Sequence, residues 1–134
     1  MKDKIIDGVA AVVRETLALG DDEPISAEQL LFYDLEFSSM DLLDLLFRVE
    51  QRFDITIEEG TLYGLARGDL PDEEFAEDGV LSVEGRRRLM ALLDDTPAEV
   101  FPSRVHAATL PRYCTVGAIA RLVEHRLGAG GADV

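Results

Sequence analysis

The chain has 134 residues, of which 47% are hydrophobic, and its 13 Lys and Arg against 27 Asp and Glu leave a formal net charge of −14. That length suits one domain around one core, and that apolar share excludes a disordered chain. The negative field excludes nucleic acid and anionic headgroups as partners and favours basic protein surfaces, while a single cysteine, Cys114, excludes an internal disulfide and a cysteine-based metal cage.

The pattern along the chain is helical. Ile5, Ile6, Val9, Val12, Val13 and Leu17 recur at helical spacing and predict a first helix over about residues 3–18, stopped by Gly20 as its C-terminal cap. Asp21 to Pro24 opens a long loop, with one turn expected at Ala27 to Leu31 started by Ser26. A second helix is predicted from Ser39 to Phe53, with Ser38 as N-cap and Asp41 completing a capping box in which Asp replaces Glu. Leu42, Leu45, Leu46, Val49 and Phe53 make its core face, and Met40, Leu43 and Phe47 form a second stripe that one core does not require.

After Ile57 the composition turns Gly-rich and acidic, and Gly60 to Asp78 reads as a solvated loop. Ser82 caps a further predicted helix from Val83 to about Leu93, with Arg86, Arg87 and Arg88 on its surface. Pro97, Pro102 and Pro111 punctuate the next loop. The last helix starts at the cap Thr115 and runs to about Leu127, and the tail GAGGADV is expected to fray. No internal repeat is present, and no alternating strand pattern exceeds the FDITI fragment.

No apolar run reaches the roughly 20 residues of a membrane span, so no stable membrane insertion is expected. The apolar run Val9 to Val13, after a charged start, is too short for a signal peptide, and the cytoplasm is the expected compartment. His106 and His125 have neither metal-ligand spacing nor a nucleophile partner, and His125 is expected to cap carbonyls or face solvent. Cys114 reads as a buried thiol, the acidic run lacks the spacing of a calcium loop, and GLARG fits no phosphate-binding glycine pattern. No metal site and no catalytic site are expected.

The segment Asp34 to Ile57, DLEFSSMDLLDLLFRVEQRFDITI, carries the functional signal. A serine at the start of an acidic amphipathic helix, behind an Asp-Leu loop and ahead of a closing Phe, resembles the phosphopantetheine site of the acyl carrier proteins. Asp34 and Leu35 match the start of that family's Asp-Leu-Gly-x-Asp-Ser-Leu pattern, Ser39 falls on the modified serine, and Met40 stands for the leucine. Asp41 and Asp44 take the two acidic positions, Phe53 takes the aromatic one, and TVGAIARLV resembles the family's final helix. Two departures are Glu36 for the usual Gly and Ser38 for the usual Asp.

The resemblance implies an all-α fold, an antiparallel four-helix bundle with an additional inserted helix and long loops. It implies one acyl-carrier-like domain over residues 1–134, a specialised stand-alone member with an insertion at about 58–114. It implies 4′-phosphopantetheine, taken from coenzyme A and held covalently by Ser39, carrying acyl groups as thioesters for fatty-acid, lipid or polyketide biosynthesis. The expected partners are a phosphopantetheinyl transferase and ketosynthase, acyl-ligase or acyltransferase enzymes with basic docking patches. They would dock on Met40, Asp41, Leu43, Asp44 and Phe47 of a monomeric carrier. The run from Ser39 to Phe47 also resembles carriers of very long acyl chains for lipid A. A peptidyl carrier of a nonribosomal pathway, or an unmodified acidic helical adaptor docking basic surfaces, stays open beside this reading.

Overall fold

The computed structural model describes residues 2–58 and 60–132. In chain order the helices are α1 (Lys2–Thr16), α2 (Ser39–Phe53), α3 (Thr61–Arg67), α4 (Asp72–Phe75), α5 (Val83–Leu92) and α6 (Val116–Ala132). A hairpin of β1 (Ala76–Glu77) and β2 (Val80–Leu81) and two 3-10 turns, Ala98–Val100 and Ala107–Tyr113, complete the described elements. The protein is mostly helical, as the periodicity predicts. It folds as two compact units, one of Met1–Ile57 with Thr115–Val134 and the other of Glu58–Cys114.

In the first unit α1 packs against both α2 and α6. Ile5, Val9, Val12 and Val13 of α1, Leu45 and Val49 of α2, and Val116, Ile119, Leu122 and Val123 of α6 form the buried core. Burying a side chain such as Leu45 stabilises the bundle by about 1.5–3 kcal/mol. Gly8 lets α1 approach α2 closely, since a Cβ there would sit 2.7 Å from Phe53 Cζ. The first helix ends earlier than its apolar pattern suggests. Ala18 (φ 56), not Gly20, takes the left-handed conformation, and Leu19 N–H donates to Arg14 O at 2.8 Å. The closing bond is worth enough to hold an alanine where glycine is the usual choice.

Thr115 starts α6 as predicted, its Oγ1 accepting from Ala118 N–H at 3.0 Å. The helix then continues through the glycines to Ala132, beyond the predicted end near Leu127. Asp133 and Val134, the rest of the tail expected to fray, lie outside the described residues. The start of α6 is tied to the loop that leads towards α2. Leu30 pairs with Thr115, Val116 N–H donates to Gln29 O (3.0 Å), and Gly117 N–H donates to Ala27 O (2.9 Å). FDITI is not a strand. Asp54 (φ 53) ends α2 in the left-handed region, and Ile57 N–H is taken by the Glu50 carboxylate at 2.7 Å.

The second unit overturns the expected solvated loop over Gly60 to Asp78. That stretch holds α3, α4 and β1, and Phe75, inside the acidic run, is fully buried with Tyr63 edge-on at 4.8 Å. Its core adds Leu81, Leu89, Leu93, Phe101, Val105, Leu110 and Tyr113. Asp78 (φ 54) and Gly79 (φ 80) form the two-residue turn between β1 and β2, a choice suited to a tight hairpin. Ser82 caps α5 as predicted, accepting from Gly85 N–H at 2.9 Å. The arginines of α5 are not simply a surface. Arg86 donates to the carbonyls of Pro102 (2.8 Å) and Phe101 (3.1 Å), and Arg88 reaches Arg67 O (3.0 Å) and Asp69 (3.1 Å). Cys114 is buried, as expected for an inert thiol.

Candidate functional site

The site is built at the start of α2 by a short, closely bonded loop. Asp34 Oδ2 accepts from Leu30 N–H at 2.7 Å, and Leu30 O takes the N–H groups of Asp34 (2.9 Å) and Leu35 (3.0 Å). Buried Leu31 and Phe37 anchor it, with Phe37 N–H donating to Leu31 O at 3.0 Å. Between them Glu36 sits at φ 56, in the left-handed region. The position at which carriers usually place glycine therefore keeps the backbone that favours glycine, although a Glu occupies it.

Ser38 is extended (φ −97, ψ 172) and forms the capping box the sequence predicts. Its Oγ accepts from Asp41 N–H at 3.1 Å and donates to Asp41 Oδ2 at 3.0 Å, and the same carboxylate oxygen accepts from Ser38 N–H at 2.9 Å. Ser39, one residue on, is the first residue of α2 and is exposed. Among the described residues nothing is hydrogen-bonded to its hydroxyl, and the N–H groups of Ser39 and Met40 have no acceptor. An exposed, unengaged hydroxyl beside two open N–H donors at the positive end of a helix fits a phosphodiester link.

The second stripe of α2 lies bare. Met40 is 72% exposed, Leu43 62% and Phe47 60%, whereas Leu45 and Val49 on the opposite side are buried. Asp44 is paired with Arg48 at 3.0 Å across one helical turn. Asp44, Phe47 and Arg48 share an open depression with Glu15, Gln51 and Arg52. Arg48 is the neighbour that reading for carboxylates and apolar residues alone passes over, and the Asp44–Arg48 spacing of four was the signal available.

The remaining reactive residues stand apart from this site in sequence. His106 and His125 are both exposed. Among the described residues no group of three His, Cys, Asp or Glu is placed to hold a metal ion. No described helix is long and apolar enough to cross a membrane.

Comparison with known proteins gives one finding. Residues 7–67 match the family model described as "Phosphopantetheine attachment site", a span from the second turn of α1 through α2 and both serines to the last residue of α3. No curated protein and no solved structure matches the chain. Carrier domains of this kind hold cargo on a covalent 4′-phosphopantetheine, have no catalytic centre of their own, and work with a phosphopantetheinyl transferase and biosynthetic enzymes. The unmodified adaptor gives way to that assignment. With that match enclosing the start of α2 and both of its serines, the chain carries a phosphopantetheine attachment domain of the carrier-protein type over residues 7–67.

Proposed function

We propose that the protein is an acyl carrier whose phosphopantetheine is attached to Ser39. The observation that carries this reading is the contrast between neighbouring hydroxyls: Ser38 Oγ is engaged on both sides by Asp41, and Ser39 Oγ is exposed and unengaged. When attached, the arm supplies a terminal thiol that holds acyl groups as thioesters. The chain's own residues attach the arm, present it at a rigid helix start, and offer a docking face.

That face is Met40, Leu43 and Phe47, with Asp41 and Asp44 beside them. Apolar residues supply most of the contact energy in such a face, and carboxylates speed the encounter with basic patches on ketosynthase, acyl-ligase or acyltransferase enzymes. The acidic character of the helix that follows the attachment serine, with Asp41 and Asp44 in its first turns, supports acyl over aminoacyl cargo in fatty-acid, lipid or polyketide synthesis in the cytoplasm. The likeness of α2 to carriers of very long acyl chains points the same way. Residues 58–114 act as an insertion within the carrier domain, a division supported by the separate core around Phe75 and Leu89.

Intact mass after incubation with coenzyme A and a broad-specificity phosphopantetheinyl transferase tests the reading. Wild type is expected to gain one phosphopantetheine and Ser39→Ala none, with helicity unchanged by circular dichroism. Persistent modification of Ser39→Ala sinks the assignment to Ser39. Loading with aminoacyl but not acyl groups would turn the carrier into a peptidyl one.

A further inference from the structure

Asp41 has two possible roles in this site, and the geometry separates them. As an exposed-face carboxylate two residues after the attachment serine, it could be a contact for partner enzymes. Its Oδ2, however, accepts from Ser38 N–H (2.9 Å) and from Ser38 Oγ (3.0 Å), while Asp41 N–H donates back to Ser38 Oγ (3.1 Å). These three bonds hold the Ser38 hydroxyl, define where α2 begins, and make Ser39 its first residue. The carboxylate does not bond Ser39, so it is not arranged to take that hydroxyl's proton.

We propose that Asp41 is a positioning residue for phosphopantetheinyl transfer, acting through Ser38. It withdraws one of two adjacent serines from reaction and fixes the other, together with the open N–H groups of Ser39 and Met40, in a single geometry. This rests on the carrier reading. In the transfer, Ser39 Oγ attacks the phosphorus of coenzyme A that bears pantetheine. The Ser39 O–P bond forms, the P–O bond to the second phosphate breaks, 3′,5′-ADP leaves, and the hydroxyl proton passes to a base of the transferase. Asp41 enters none of those bonds. It sets the direction and the identity of the attacking oxygen.

Contact and positioning have different kinetic signatures. Loss of a contact that is equal in ground and transition states raises KM, whereas misorientation of the acceptor lowers kcat. The experiment is steady-state modification of the full chain by coenzyme A and a broad-specificity transferase at varied carrier concentration, with the labelled residue mapped by peptide mass. Asp41→Ala is expected to lower kcat by about tenfold or more with KM changed less than about twofold. Its residual label should be shared between Ser38 and Ser39. Asp41→Glu, which restores the more usual capping-box residue, should recover both the rate and the exclusive Ser39 label. That rescue also guards against Asp41→Ala simply failing to fold.

A raised KM with unchanged kcat, or Asp41→Ala behaving as wild type, would overturn the proposal and leave the carrier reading intact. Where the broad enzyme leaves wild type unlabelled, phosphopantetheine occupancy in the native host supplies the same ranking of variants. An unmodified wild type in that host overturns both.

Discussion

Helix α2 in the first unit and helix α5 in the second are started by the same chemistry and finish differently. Each has a serine N-cap accepting a backbone N–H, from Asp41 at 3.1 Å in α2 and from Gly85 at 2.9 Å in α5. In α5 the cap hydroxyl also donates to Glu74 O at 2.7 Å, which joins it to the preceding segment. The charged face that follows is closed within its own unit, with Glu84 bonded to Arg87 and Arg88, and Arg88 bonded onward to Asp69. In α2 the cap bonds only to its own first turn, the next residue is a free serine, and three large apolar side chains stay in solvent. A face whose charges satisfy one another serves stability. A face left apolar and open adds nothing to the core, and its proposed use is recognition.

The sharpest way to break the comparison is at Gly85. A Cβ there would overlap the Phe75 carbonyl oxygen and come within 3.1 Å of the Phe75 ring, so α5 can pack on the fully buried Phe75 only with glycine at this position. Gly85→Ala should cost about 3 kcal/mol as overpacking, read as a shift of the denaturant midpoint. Unchanged stability would mean that α5 is not locked as described. On α2 the corresponding change should act on binding. Phe47→Ala is expected to weaken docking of the proposed partner enzymes by about 2 kcal/mol, roughly thirtyfold, with folding stability altered by less than about 0.5 kcal/mol. Lost stability with unaltered affinity would return Phe47 to the core.

A smaller effect of the opposite sign is expected at Glu36. Relief of its left-handed backbone by Glu36→Gly should stabilise the first unit by about 1 kcal/mol, measured by thermal unfolding. The smallest effect concerns pH. The Arg87 guanidinium first, and Arg88 next, hold the Glu84 carboxyl down from 4.5 to about 2, and Arg88 lowers Asp69 in the same direction. A carboxylate whose folded pKa is depressed binds fewer protons folded than unfolded, so its contribution is complete above pH 4.5 and fades as pH falls towards 2. Both groups are solvent-exposed, so the loss should be slight. Resolved carboxyl titrations should show Glu84 protonating near 2 rather than 4.5, and an ordinary Glu84 titration would dissolve the network.

Much of the first unit was legible from residue order. Helix α2 is bounded by signals that act locally: a serine cap, a reciprocal acid three residues on, and an apolar period that closes at Phe53. The last helix was announced in the same way by Thr115. Reading failed where distant contacts reverse a local preference. The run around Phe75 looks like solvated loop because five of its neighbours are acidic, yet one aromatic ring, met by Tyr63 and covered by α5, is enough to organise it. Ala18 and Glu36 fail for a related reason. Both occupy left-handed positions for which a sequence argument nominates glycine, and surrounding hydrogen bonds hold them there.

The order of residues alone settled that the chain is helical, that α2 begins at a double serine, and that the serine-bearing segment is of carrier type, because capping and helical periodicity depend on neighbours within a few positions. Only the folded chain decided which serine hydroxyl is engaged, that Met40, Leu43 and Phe47 face solvent, and that residues 58–114 build a core of their own. Those outcomes depend on where hydrogen-bond partners and apolar surfaces meet in space.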